Sequence, residues 1–335
     1  FNPARAPGYM TAGILSVLAM LLLVAASLGR KRLHIPYDGW RISHAMLAAG
    51  ATALAAVHIQ GVQYYLAEPW KAGLWHFSIA VWLALLVFVR LVRPWQLARH
   101  PYVVSEVRAE RGDAWTLVLD PDGHGGFSFE PGQFSWLTLG GSPFGMTEHP
   151  FSMSAPDTGR GRIELTVKAL GDFTRTVGST RPGARAFVDG PYGAFCPSRH
   201  QAPGYVLIAG GIGIAPMMSM LRAMAEHGDT RPVWLFYAYR RWERMTFRET
   251  LDALTTRMRL SIVHVLEEPP DGWTGESGRI TRELLERHLP TGATNRGELH
   301  YFLCGPQAMT DAMERVLHEM AVPRTHVHSE LFDMV

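Results

Sequence analysis

Cysteine is almost absent from this chain. Its 335 residues hold only Cys196 and Cys304, far apart in sequence and in no CxxC pair. That excludes a zinc ribbon, a fused iron–sulfur domain and a disulfide framework, and it places the polar part of the chain in a reducing compartment. Acid is the second scarcity. Residues 1–100 carry nine Lys or Arg but only two acids, Asp38 and Glu68, which leaves 23 basic and 28 acidic residues for 101–335. The second part, at a net −5, has an ordinary mixed surface without a basic stripe, so nucleic acid is not an expected partner. The chain also shows no carboxylate dyad and no Ser-His-Asp set, so hydrolytic chemistry has no visible machinery.

Three stretches lack charge altogether: Tyr9 to Leu28, Ile42 to Ala67 and Ala72 to Val89. A bilayer core of ~30 Å needs about 20 apolar residues in a helix, so spans are expected near 9–28, 42–66 and 73–92. The first loop, GRKRLHIPYDGWR, is basic, and the third run closes on RLVRPWQLAR, whereas the loop EPWK between them is nearly neutral. Positive charge on the inner side then runs the first and third spans inward. Trp40, Trp70, Trp75 and Trp95 sit near span ends, where amphipathic rings anchor. The expectation is a multi-pass protein of a bacterial-type plasma membrane, with the remainder of the chain in the cytoplasm.

The second run is unusual in holding two imidazoles, His44 and His58. Fourteen residues of helix turn ~1400°, within 40° of four whole turns, and rise ~21 Å. Both rings therefore share one face, at two depths. Imidazole in an apolar bundle is a haem ligand, so two stacked b-type haems are expected on His44 and His58. Low-spin haem needs a second axial ligand. The first span has no His and the third only His76, a rival partner for His58. With Phe1 as its first residue, the chain is expected to follow upstream helices that carry the partner ligands.

From Tyr102 the texture changes to short β-like runs (YVVSEVRAE, AWTLVLD, QFSWLTL, RIELTVKAL, ARAFVDG) broken by Gly and Pro, which predicts an antiparallel barrel over about 101–200. After Gly204, strands alternate with helical patterns, which predicts a doubly wound parallel sheet over 201–335. In IAGGIGIAP, Gly211, Gly213 and Pro216 stand between a strand and a helix. The glycines permit a tight turn and close approach of a pyrophosphate to the helix N-terminus, and Pro216 suits the first helical turn. Arg240 and Arg241 follow the next strand, where arginine can pair with a 2′-phosphate and favour NADPH. In HPFSMS, which closes the loop after a barrel strand, Phe151 offers an apolar floor and Ser152 a hydroxyl for a flavin. Lys168 and the Gly171–Thr174 turn offer a phosphate cradle.

The ordered motifs HPFSMS, VKALGDFT, DGPYG, LIAGGIGIAPMMSML, YFLCGP and SELF, behind the His44–His58 helix, make the whole chain resemble the ferric reductase and NADPH oxidase family. By that resemblance, these are the fourth to sixth of six spans, followed by FAD and NADPH domains of ferredoxin-reductase type. His44 would ligate the inner haem and His58 the outer, with partners on an absent third span. His149, Pro150, Phe151 and Ser152 would hold the isoalloxazine, and Lys168, Gly171 and Thr174 the FAD diphosphate. Gly211, Gly213 and Pro216 would bind the NADPH diphosphate, and Arg240 its 2′-phosphate. Cys304, Gly305 and Pro306 would flank the nicotinamide, and Phe332 would lie over the flavin. Three residues follow Phe332, where NADPH oxidases end on the aromatic itself.

Electrons would then run from NADPH through FAD and two haems to oxygen or a ferric chelate on the outer face. Ser152, Cys304 and Phe332 would lie nearest the chemistry. The alternative is a flavin reductase that hands electrons from NAD(P)H to a partner redox protein.

Overall fold

The computed structural model describes residues 7–30, 32–35, 37–290 and 296–331. They fall into two units: Phe1–Ala98 with Ser142–Thr147, and Arg99–Gly141 with Glu148–Val335.

The first unit is helical, with α1 (Gly8–Gly29), α2 (Tyr37–Val62), α3 (Pro69–Val87) and α4 (Arg93–Arg99). Three of its helical stretches are long and apolar enough to cross a membrane. α2 stops short of the charge-free run because Gln63 takes a left-handed conformation (φ 60°) and Tyr64–Leu66 form a 3-10 turn. The third stretch extends further than the charge-free run. One π turn, Phe88–Val92, carries it into α4, and Pro94, which has no N–H to return to the preceding turn, follows directly on that π turn. α1 and α2 pack as a pair. The Ser16 hydroxyl donates to the Ala51 carbonyl at 2.8 Å. Gly13 leaves room for the His58 ring, since a Cβ there would lie 2.6 Å from Nδ1.

The second unit holds two six-stranded sheets. β1 (Tyr102–Glu110), β2 (Ala114–Pro121), β3 (Phe134–Leu139), β4 (His149–Ser152), β5 (Ile163–Lys168) and β6 (Arg185–Tyr192) form an antiparallel sheet in the order β4-β3-β6-β1-β2-β5. The HPFS segment is thus a strand in its own right, an edge on which Pro150 costs little. Beyond it, Met153 bridges Leu165 and the Ser154 N–H donates to the Glu164 carbonyl at 2.8 Å, so the sheet curls until its edges meet. Alternate residues point inward and fill it with Leu117, Leu119, Leu137, Ile163, Leu165 and Val188, the period expected of a sheet buried on one face. A short helix, α5 (Asp172–Thr176), follows β5.

The second sheet is parallel, built from β7 (Tyr205–Gly210), β8 (Val233–Tyr239), β9 (Leu260–Leu266), β10 (Glu276–Ser277), β11 (His300–Gly305) and β12 (Val327–Leu331), in the order β10-β9-β8-β7-β11-β12. α6 (Ile214–Glu226), α7 (Arg248–Thr255), α8 (Arg282–His288) and α9 (Gln307–Glu319) connect its strands. β7 and β11 are buried along their whole length, as central strands covered on both faces must be. α6 also grips the barrel: Ser219 Oγ donates to the Ala155 carbonyl at 2.9 Å, and Arg222 to the Ser154 carbonyl at 3.1 Å and to Glu164 at 3.3 Å.

Beside the parallel sheet, imidazoles gather. His200 stacks on His328 (centroids 4.1 Å) and His300 on His326 (4.2 Å). Burial holds His300 and His328 down to about 4, so both rings are neutral at physiological pH.

Candidate functional site

β4 sets the first cleft. His149 and Phe151 alternate along the strand, and both rings lie parallel to Phe173 of α5, His149 at 4.0 Å and Phe151 at 6.1 Å between centroids. Phe173 was not singled out by sequence; in GDFT it reads as one more turn residue. The cleft is lined by all four residues of HPFS, by Thr166–Lys168 of β5, by Leu170 and Thr174, by Ile212 and Ala215 at the start of α6, and by Glu330 and Leu331 of β12. It is mostly apolar, with few polar atoms, and two of those lack partners. Ser152 Oγ and Glu330 Oε2 are buried and face each other, and neither hydrogen-bonds any other group among the described residues. A buried polar group left unpaired costs roughly 1–3 kcal/mol, so such atoms mark a place where something polar binds.

Glu330 is the second residue that sequence reasoning missed. β12 pairs in parallel with β11, Cys304 opposite Glu330, which brings the carboxyl to the barrel. Burial raises it to about 7, only partly offset by the Ser152 hydroxyl. It is therefore poised between a donor and an acceptor near neutrality.

The phosphate cradle expected at Gly171 is differently built. The Leu170 and Gly171 N–H groups donate to Thr174 Oγ at 2.9 and 2.8 Å, so those donors are spent within the turn. Lys168 remains as the cation. Its Nζ lies 3.4 Å from the Tyr239 hydroxyl and 4.9 Å from that ring's centre. It lines both this cleft and a second one.

The second cleft lies at the C-terminal ends of the parallel strands, the usual ligand position of such sheets. Gly210, Gly211, Tyr239, Arg240, Arg279 and Pro306 are among its walls. Gly211 has φ +55° with open space beyond its Cα. Gly213 is needed for a different reason: a Cβ there would stand 2.1 Å from the Cys304 carbonyl oxygen and 2.8 Å from the Gly305 nitrogen. The turn of α6 therefore lies directly on β11.

Not every predicted residue reaches a cleft. Pro216 is buried in the first turn of α6, where its missing N–H is harmless, and lines neither cleft. The Cys304 thiol is fully buried among core side chains, and burial pushes it well above the ordinary thiol range; only its backbone approaches Gly213. Gly305 packs against Gly210 with no room for a side chain. Phe332 lies outside the described residues.

Arg240 and Arg241 are not loose cations. Each donates to one oxygen of Glu268 at 2.6 Å, and the pair holds that carboxyl below its usual range. Arg279, unremarked in the sequence, makes no ion pair among the described residues.

In the helical unit, the His58 Nδ1–H donates to the Tyr9 carbonyl at 2.9 Å. Ser27 Oγ donates to the Leu23 carbonyl, so the 3.1 Å contact with His44 Nδ1 places the proton on that ring. Both tautomers, assigned from these networks, leave Nε2 as the lone-pair nitrogen. His76 Nε2 instead accepts from the Gln60 amide at 2.9 Å, which uses the lone pair a shared metal with His58 would need.

Comparison with known proteins bears on the second unit. Residues 207–315 match the family described as the oxidoreductase NAD-binding domain. An NADH-cytochrome b5 reductase 1 of Cryptococcus neoformans is 34% identical over 188 residues, 53% of this chain and 64% of that protein. The chain thus spans less than two thirds of that relative. Among solved structures, the ferredoxin reductase of carbazole 1,9a-dioxygenase aligns over 70% of this chain and 69% of its own, with a TM-score of 0.60 and 27% identity. A ferredoxin NADP+ reductase from Neisseria gonorrhoeae, solved with FAD and NADP bound, shares the fold at TM-score 0.57 and 20% identity over 69% of this chain and 97% of its own. The second unit thus has the ferredoxin-reductase-like fold, an antiparallel barrel followed by a parallel nucleotide-binding sheet, and is similar to NADH-cytochrome b5 reductase.

Proposed function

We propose that the chain is a NAD(P)H-dependent flavin reductase that delivers electrons to a partner redox protein of the cytochrome b5 or ferredoxin kind. The observation that carries this is the pair of adjoining clefts, one ring-floored with two orphaned polar atoms, the other at a glycine turn and helix N-terminus, with Lys168 in both. The residues of the first cleft fit FAD, which when bound supplies the conversion between a two-electron donor and a one-electron acceptor. His149, Pro150 and Phe151 give a planar group its floor, with Phe173 stacked on the two rings. Ser152 Oγ and Glu330 offer it a hydroxyl and a protonatable carboxyl, and Lys168 offers a cation. Gly211, Gly213 and the N-terminus of α6 receive the nucleotide diphosphate, with Pro306 beside it and Arg279 as a further cation.

The test uses detergent-purified full-length protein loaded with FAD, with NADH, NADPH and three acceptors: cytochrome b5, oxygen and a ferric chelate. Cytochrome b5 reduction should account for most of the nucleotide oxidised. If oxygen and ferric chelate account for all of it, the partner-reductase reading fails. Ser152→Ala should retain flavin yet slow nucleotide-driven reduction roughly 10- to 100-fold, the value of one hydrogen bond at the reacting group (~1.5–3 kcal/mol).

Choice of nucleotide rests on Glu268. With both arginines paired to its one carboxylate, NADH is the better donor, because a 2′-phosphate would have to displace an existing ion pair. Glu268→Gln should raise kcat/KM for NADPH relative to NADH by about tenfold. An unchanged ratio would remove Arg240 and Arg241 from the nucleotide site.

A second reading places the acceptor within the chain itself, as in the ferric reductase and NADPH oxidase family. The three apolar helices favour insertion in a plasma membrane, with the basic first loop and the second unit on the cytoplasmic side. Nδ1–H donated to protein acceptors is how metal-bound histidines are commonly oriented, so His44 and His58 fit axial haem ligation through Nε2. A b-type haem spectrum in the purified membrane protein, lost in His58→Leu, supports this reading; its absence leaves the partner reductase.

A further inference from the structure

Away from both clefts, three histidines from three separate segments converge. His200 ends the connection between barrel and parallel sheet, His300 opens β11, and His328 lies in β12 opposite Phe302. One ring nitrogen from each lies within 4.8 Å of the other two. His300 Nδ1 and His328 Nε2 are 2.9 Å apart. His200 stacks on His328 and lies 4.9 Å from His300 between centroids.

Ordinary packing does not account well for this group. Aromatic cores are commonly built from Phe and Tyr, which bring no polar atoms to satisfy, whereas three imidazoles bring six nitrogens. Among the three rings a single hydrogen bond is made, between His300 and His328, and the His200 ring makes none among the described residues. His326, the fourth ring, turns Nδ1 away to the Gly297 carbonyl at 2.8 Å.

We propose that His200, His300 and His328 bind one divalent transition-metal ion of the zinc class, with water in the fourth position. Neutral imidazole suits zinc and its neighbours, and three imidazoles with an open position form a common tetrahedral set. Zinc–nitrogen bonds of ~2.0–2.1 Å at tetrahedral angles require nitrogens ~3.3 Å apart. The His300–His328 contact therefore opens by a few tenths of an ångström, the proton it shares moves to the outward nitrogen of its ring, and the His200 ring, stacked on His328, turns to bring its nitrogen in from within 4.8 Å of the others. No side chain has to cross the core. The ion ties the connection at residue 200 to the paired strands β11 and β12, which its ring otherwise meets by stacking. Neither flavin chemistry nor the identity of the acceptor enters this argument.

The experiment uses full-length chain without a polyhistidine tag, stripped with chelator and titrated with Co2+ as a spectroscopic probe. One Co2+ per chain should give a visible ligand-field spectrum, which Zn2+ displaces, and Zn2+ should raise the unfolding temperature. His200→Ala and His328→Ala should each weaken Co2+ binding by more than the 10- to 100-fold usually lost with an outer-shell partner. Both positions are only half-buried, and an unchanged far-ultraviolet circular dichroism spectrum shows that each variant folds. His318→Ala, on the exposed face of α9, should bind as the parent does. No saturable uptake by the parent chain, or uptake that survives His200→Ala with His328→Ala, overturns the site.

Discussion

Gly213→Ala is expected to be among the costliest single-methyl additions in the second unit. The added Cβ would stand 2.1 Å from the Cys304 carbonyl oxygen, 2.5 Å from its carbon and 2.8 Å from the Gly305 nitrogen. All three are backbone atoms of a strand buried throughout and paired on both sides, to β7 and to β12, so none can swing aside as a side-chain tip would. Overpacking a well-filled core costs roughly 1–3 kcal/mol, and a contact received by backbone belongs at the upper end. For a chain of this size that is a fall in melting temperature of about 5–10 °C. The same push moves the first turn of α6 away from β11, so KM for the nucleotide should rise at least about tenfold through loss of the donors at that turn. Gly211→Ala makes the useful contrast. Its φ of +55° is strained for alanine by roughly 1 kcal/mol, but open space awaits the methyl, so stability should fall less. Thermal unfolding and nucleotide kinetics on both variants check this. Equal melting temperatures for Gly213→Ala and the parent would mean that α6 does not rest on β11.

The difference between those two glycines shows what the sequence could and could not reveal. IAGGIGIAP between a buried strand and an amphipathic run announces a strand–turn–helix phosphate site, because chain order alone brings its parts together. The same holds for the short alternating strands of the barrel and for the strand–helix rhythm after Gly204, where local period sets local structure. The boundaries of α2 and α3 were less legible. Absence of charge marks where a helix can lie in lipid, but it says nothing of Gln63 turning left-handed or of helix continuing through Arg90 and Arg93. Residues that meet only through tertiary pairing were hidden. Phe173 joins His149 because α5 folds back beside β4. Glu268 reaches Arg240 and Arg241 because β9 lies next to β8. His200, His300 and His328 are spread over more than a hundred residues. Cys304 and Pro216 sit inside legible motifs, yet which side of a strand or helix turn faces a cleft depends on what packs opposite.

Glu330→Gln is the second variant with a large expected effect, and its sign depends on pH. In SELF the aromatic draws attention, but it is the acid that faces the first cleft beside Ser152. Burial raises the carboxyl from 4.5 to about 7. Below pH 4.5 it is protonated in both folded and unfolded chains, and no penalty arises. Between 4.5 and 7 the unfolded chain ionises while the folded one resists, so the folded state loses relative stability as pH rises. Above 7 both are ionised and the loss is complete. A shift of that size corresponds at most to about 3 kcal/mol, and less for a half-buried group that water can reach. Glu330→Gln should therefore match the parent near pH 4 and exceed it in melting temperature at pH 8. Activity should respond in the opposite sense. The parent holds a protonated donor beside Ser152 below pH 7 and an acceptor above it, so its nucleotide-driven reduction rate should vary with a midpoint near 7. The glutamine variant, fixed as a neutral amide, should show a flat profile and a rate lowered by about 10² if the carboxyl exchanges a proton during turnover. A midpoint near 7 that persists in the variant would assign the titration to another group. A variant no more stable than the parent at pH 8 would mean that the Glu330 carboxyl is solvated in the folded chain.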